Sequence, residues 1–95
     1  MLLTEIVANK RKEVAERKTR TPLREIEEYL ERAPRRKDFR LALRSPGISI
    51  IAEIKRRSPS RGEILPGVDA AELAAIYEQA GARAISVLVD EKYFG

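Results

Sequence analysis

The chain has 95 residues, of which 43% are hydrophobic and 36% charged, with no Cys and no His. That length lies near the lower end of single-domain size, and the composition excludes disulfides, thiolate chemistry and histidine-based metal or acid–base sites. A net charge of +4 suits nucleic acid and suits a phosphorylated small metabolite equally well. The high charged fraction leans toward a heat-tolerant or very soluble protein. No apolar run approaches the roughly 18 residues of a membrane span. The opening Met1-Leu2-Leu3-Thr4-Glu5-Ile6 meets an acid too early for a secretory leader. A cytoplasmic protein is therefore expected.

Residues 3–19 contain no Pro or Gly. Leu3, Ile6, Val7 and Val14 recur at roughly helical spacing, and Lys and Arg crowd the second half, where they suit the negative end of a helix dipole. Thr21-Pro22 reads as an N-cap followed by proline at the first helical position. Leu23, Ile26 and Leu30 then give an apolar stripe on a second helix over about 22–32. Arg35-Arg36-Lys37 forms a basic link, and Asp38 is placed to cap a short helix with Phe39, Leu41 and Leu43. Ser45-Pro46-Gly47 is a turn.

The next stretch, 48–62, is an apolar run of strand length that ends on a carboxylate and an ammonium and breaks into a basic Ser/Pro/Gly loop. Strand side chains alternate faces. Glu53 and Lys55 therefore point the same way as Ser49 and Ile51, and Ile50, Ala52 and Ile54 point the other way. One face is apolar throughout; the other becomes charged at its C-terminal end, as in a barrel strand whose inner face opens into a site. Glu53 and Lys55 can hold each other ionised, and beside a carbonyl such a Lys polarises or protonates while a Glu accepts a proton. An ordinary ion pair at a strand end has the same pattern. Arg56, Arg57 and Arg61 with Ser58, Ser60 and Gly62 suit a loop that receives an anion; a solvated basic turn reads identically. The connection over 56–68 is long for a strand-to-helix loop.

Asp69 and Glu72 open a helix over 70–80 in the manner of a capping box. The helix is expected to bury Leu73, Ala74, Ile76, Tyr77 and Ala80, with Gly81 as its C-cap glycine. Residues 84–89 are a second strand, apolar on both faces as in a covered parallel sheet. Strand, helix, strand implies a right-handed crossover. The chain is expected to stop at 90–95 before a further helix begins. Two open sheet edges favour pairing with another chain, so the expectation is a piece of a larger α/β protein whose copies self-associate through exposed strand edges.

The string Ile50-Ile51-Ala52-Glu53-Ile54-Lys55-Arg56-Arg57-Ser58-Pro59-Ser60-Arg61-Gly62 closely resembles the first barrel strand and following loop of indole-3-glycerol phosphate synthase. The ending Ser86-Val87-Leu88-Val89-Asp90-Glu91-Lys92-Tyr93-Phe94-Gly95 looks like that family's second strand and loop, and residues 3–17 resemble its N-terminal helical extension. The resemblance spans essentially the whole chain in the right order.

The resemblance implies an α/β fold that is the beginning of a TIM (β/α)8 barrel: a helical extension over 1–47, then strand 1, helix 1 and strand 2 over 48–95. It implies a lyase of tryptophan biosynthesis that closes the indole ring of 1-(2-carboxyphenylamino)-1-deoxyribulose 5-phosphate with loss of carbon dioxide and water, without metal or organic cofactor. Glu53 and Lys55 take the catalytic roles. Ser58 contacts the anthranilate part of the substrate, Phe94 lines its apolar pocket, and Lys92 and Tyr93 match the motif without an assigned role. A full barrel needs about 250 residues, so two of eight strands are not expected to be active alone. The expected partner is a phosphorylated small molecule, with no specific nucleic acid and no membrane. The alternative is a small basic module that grips phosphate or nucleic acid through 35–37 and 56–61; such binding is steeply salt-dependent.

Overall fold

The computed structural model describes residues 1–95. The chain divides into two compact units, Met1–Arg36 and Lys37–Gly95.

In the first unit, α1 runs over Leu2–Arg20 and α2 over Leu23–Leu30. Helix α1 has Glu5 in its first turn and Arg17, Lys18 and Arg20 in its last, the arrangement the helix dipole favours. Glu13 gathers the mid-helix contacts: Lys10 Nζ lies 2.6 Å from its Oε2, Arg17 Nη2 lies 3.7 Å from the same atom, and Asn9 Nδ2 donates to its Oε1 at 2.8 Å. The expected cap of α2 is displaced. Pro22, not Thr21, is the N-cap, because the Thr21 amide donates to Arg17 O at 2.7 Å and so completes the last turn of α1. The apolar residues of α2, Leu23, Ile26 and Leu30, are all exposed.

The second unit opens with α3, Phe39–Arg44. Asp38 caps it as expected, accepting from Leu41 N at 2.8 Å. Strand β1 is Ile51–Ile54, shorter than the apolar run that contains it. It pairs in parallel with β4, Ala84–Val87, in the register Ile51↔Ala84, Ala52↔Ile85, Glu53↔Ser86 and Ile54↔Val87. The ladder gains one bond at each end, from Arg83 N to Ile50 O and from Leu88 N to Ile54 O, both 3.0 Å. Between the strands lies α4, Ala70–Gln79, which packs on both of them. This is one strand–helix–strand unit with a parallel sheet.

The core sits between α4 and β1. Ile54, at 2% exposure, is the buried hydrophobic residue of the chain, and Ala52 on the same face is half-buried. Ile51 and Glu53, on the opposite face, are exposed. The alternation read from the sequence therefore divides helix side from open side. Helix α4 turns Ala70, Leu73, Ala74 and Tyr77 toward the sheet, all half-buried, at i, i+3, i+4, i+7 spacing. Ile76 is 59% exposed and Ala80 is also exposed, against expectation. Ile76 sits one residue off the stripe, and Ala80 lies past the last turn as the C-cap. Asp69 caps the helix by accepting from Glu72 N at 3.0 Å. Gly81 follows with φ +104°, a left-handed conformation that a Cβ disfavours.

Two further elements differ from expectation. The loop after β1 folds into a minimal antiparallel hairpin, β2 (Arg57–Ser58) with β3 (Gly62–Glu63). Residues 91–94 form a single helical turn, α5 (Glu91–Phe94), where no helix was expected. Asp90 nucleates it by accepting from Tyr93 N at 2.9 Å, an N-cap with an acid, Glu91, directly after it. No helix is long and apolar enough to cross a membrane.

Candidate active site

At the C-terminal ends of β1 and β4 the sheet face turned away from α4 becomes polar. Glu53 is in β1 and Lys55 directly follows it. Lys55 Nζ lies 3.4 Å from Glu53 Oε1, with the two side chains 33% and 49% exposed. The period-2 alternation brings them to one side, and β4 sets Ser86 opposite Glu53. A carboxylate and an ammonium in contact, both reachable from solvent, form an acid–base pair that a carbonyl or hydroxyl substrate can approach. The C-terminal end of parallel strands is also where α/β folds hold their ligands.

Ser58 lies on β2 and is 8% exposed. Its Oγ accepts from Arg61 N at 3.1 Å and is 3.4 Å from Ser60 Oγ, so the hydroxyl shapes the hairpin turn. Phe94 is half-buried at the end of α5. Neither residue is hydrogen-bonded to the Glu53–Lys55 pair. Lys92 Nζ lies over the Tyr93 ring, 5.4 Å from its centroid, a cation–π contact on the same turn.

The three loop arginines separate in role. Arg56 donates from Nε and Nη2 to Val68 O, at 3.2 and 3.0 Å, and from Nη1 to Gly95 O at 3.2 Å. Arg57 Nη2 donates to the carbonyls of Glu91 and Lys92. Their guanidinium groups thus fasten backbone rather than face a ligand. Arg61 alone of the three has a side chain engaged in no hydrogen bond or ion pair, and it is exposed.

Sequence reasoning missed Arg83, at the opposite end of the sheet. Its Nη1 donates to Ser45 O at 2.6 Å and Ser49 Oγ at 2.8 Å, and its Nη2 donates to Pro46 O. Ser49 Oγ in turn donates to Leu43 O at 3.0 Å. A rigid five-donor fork suits several fixed acceptors, and here it pins the Ser45-Pro46-Gly47 turn beneath β1. The available signal was a lone Arg directly before a strand, which has no meaning until the turn is placed beside it.

A family model described as indole-3-glycerol phosphate synthase matches residues 3–95. Curated relatives of that name include one from Mycolicibacterium gilvum, 50% identical over 93 residues that make up 98% of this chain and 34% of the relative. One from Parafrankia sp. is 47% identical over 93 residues, 98% of this chain and 35% of the relative. One from Streptomyces griseus is 47% identical over 94 residues, 99% of this chain and 35% of the relative. The chain spans about a third of the length of the curated relatives it matches. With a match that spans residues 3–95, and so both units, the chain belongs to the indole-3-glycerol phosphate synthase family.

Proposed function

We propose that these 95 residues supply the N-terminal portion of an indole-3-glycerol phosphate synthase. That enzyme closes the indole ring of 1-(2-carboxyphenylamino)-1-deoxyribulose 5-phosphate with loss of carbon dioxide and water. The observation that carries the reading is the 3.4 Å contact between Lys55 Nζ and Glu53 Oε1 on the open side of a parallel sheet. On this reading β1 and β4 are the first two of eight barrel strands, residues 1–47 are a helical extension, and residues 48–95 begin the barrel. The location is cytoplasmic.

Lys55 engages the substrate carbonyl or hydroxyl and acts as the acid. Removal of water needs a proton delivered to the departing oxygen, and an ammonium at a strand mouth provides one. Glu53 orients Lys55 and handles protons. Ser58 binds the anthranilate portion and Phe94 packs on its ring. No organic cofactor or metal enters the scheme. The substrate phosphate calls for groups beyond these, since the Arg56 guanidinium and Arg57 Nη2 are directed at carbonyls and Arg57 Nε is buried.

Positioning several groups together supplies much of an enzyme's rate, so the 95-residue polypeptide alone is expected to show negligible turnover. It is also expected to self-associate through the two open edges of the β1–β4 sheet. Sedimentation as a monomer with one sharp melting transition contradicts that association.

The functional reading is tested in a full-length synthase built on this segment, with the remaining two-thirds supplied by the Mycolicibacterium gilvum relative. Turnover of the ribulose phosphate substrate by that protein supports it. A folded, full-length protein without turnover overturns it.

A further inference from the structure

We propose that Arg57 is a positioning residue: it fixes helix α5, and through it Phe94, against the hairpin that carries Ser58. The inference rests on the functional reading above and adds to it a residue that touches no substrate.

Helix α5 has four residues, far fewer than an isolated helix needs to persist in water. Its N-terminus is capped by Asp90. Lys92 O is hydrogen-bonded to Arg57 Nη2 at 3.0 Å, and Glu91 O accepts both from Gly95 N at 3.2 Å and from the same Nη2. A guanidinium on backbone carbonyls is favoured by charge-assisted hydrogen bonding. Arg57 itself is half-buried in β2, paired with Glu63 and directly adjacent to Ser58.

The backbone approach at Gly95 is a second, independent sign that this junction is closely fitted. Gly95 has φ +79°, and a Cβ built there would lie 3.0 Å from Arg56 Cβ and 3.4 Å from Arg57 Cγ. The stem of Arg57 therefore packs against the end of α5 while its head holds the carbonyls. The side chain expected to receive an anion instead ties the loop after the first strand to the loop after the second. Arg56 Nη1 adds a bond to Gly95 O at 3.2 Å, but Arg57 is the side chain that reaches the carbonyls inside α5, between Ser58 and Phe94 on the two sides of the proposed aromatic pocket.

The test uses the full-length synthase carrying this segment and its Arg57→Ala and Arg57→Lys variants. Hydrogen–deuterium exchange is followed over 91–95 and, as reference, over 51–54 and 84–87. With Arg57→Ala, exchange over 91–95 is expected to accelerate roughly tenfold, given two lost charge-assisted bonds, while the strands stay as they were. KM is expected to rise roughly tenfold with kcat within about twofold, the pattern of lost binding rather than lost chemistry. Arg57→Lys, which keeps the charge but loses the rigid fork, should recover less than half of the KM effect. Unchanged exchange over 91–95, or KM and kcat failing together with the melting temperature, overturns the proposal. If the parent protein lacks turnover, the functional reading falls, and exchange over 91–95 still decides whether Arg57 holds α5.

Discussion

Glu53 and Lys55 stand two positions apart and their charged ends meet at 3.4 Å, on the face of β1 that α4 does not cover. With the two side chains 49% and 33% exposed, water screens the attraction and the pair contributes little to folding. Glu53→Gln is therefore expected to change unfolding free energy by less than about 1 kcal/mol. Urea denaturation of the full-length synthase carrying this segment measures it; a loss of several kcal/mol would mean the pair is structural.

Ile54 has the opposite character. At 2% exposure it is the residue on which α4 and β1 close. Ile54→Ala removes buried methyl groups and leaves a gap, a loss of about 2–5 kcal/mol in well-packed cores. The same change at Ile51, 49% exposed on the open face, should cost far less when both variants are made in the 95-residue polypeptide, where no further strands pack on that face. Parallel denaturation curves for the two variants compare the faces directly, and equal losses would contradict the assignment of Ile54 to the covered side.

Arg83 predicts a third outcome. Arg83→Ala removes three donor contacts, to Ser45 O, Pro46 O and Ser49 Oγ. Partial exposure moderates the loss to about 1–2 kcal/mol. Arg83→Lys should recover only part of it, because an ammonium lacks the planar fork. Full recovery by Lys would show that charge, not geometry, matters there.

The sequence made the faces of β1 legible because a period of two and a change from Ile to Glu and Lys occur within one short run. Asp38 and Asp69 were legible because an N-cap is a local device, decided within three residues. Arg57 and Arg83 were not, since their acceptors lie 34–38 residues away in the chain. The β2–β3 hairpin has two residues per strand, too few to show any period. Helix α5 was overlooked although Asp90-Glu91 carries a start signal, because one turn adds no apolar repeat. At Thr21-Pro22 a valid local pattern lost to a competing one, the completion of α1 by the Thr21 amide. Of the candidate site, the acid–amine pair followed from strand geometry, whereas the burial of Ser58 and the use of Arg56 and Arg57 as backbone ties required the tertiary structure.

The measurement that bears most directly on the account is steady-state turnover of Lys55→Ala in the full-length synthase carrying this segment, alongside its melting temperature. Removing a general acid lowers kcat by roughly a hundredfold or more, and loss of an exposed ion pair leaves the melting temperature nearly unchanged. Near-normal kcat in a folded Lys55→Ala protein would contradict the assignment of Lys55 to the chemistry.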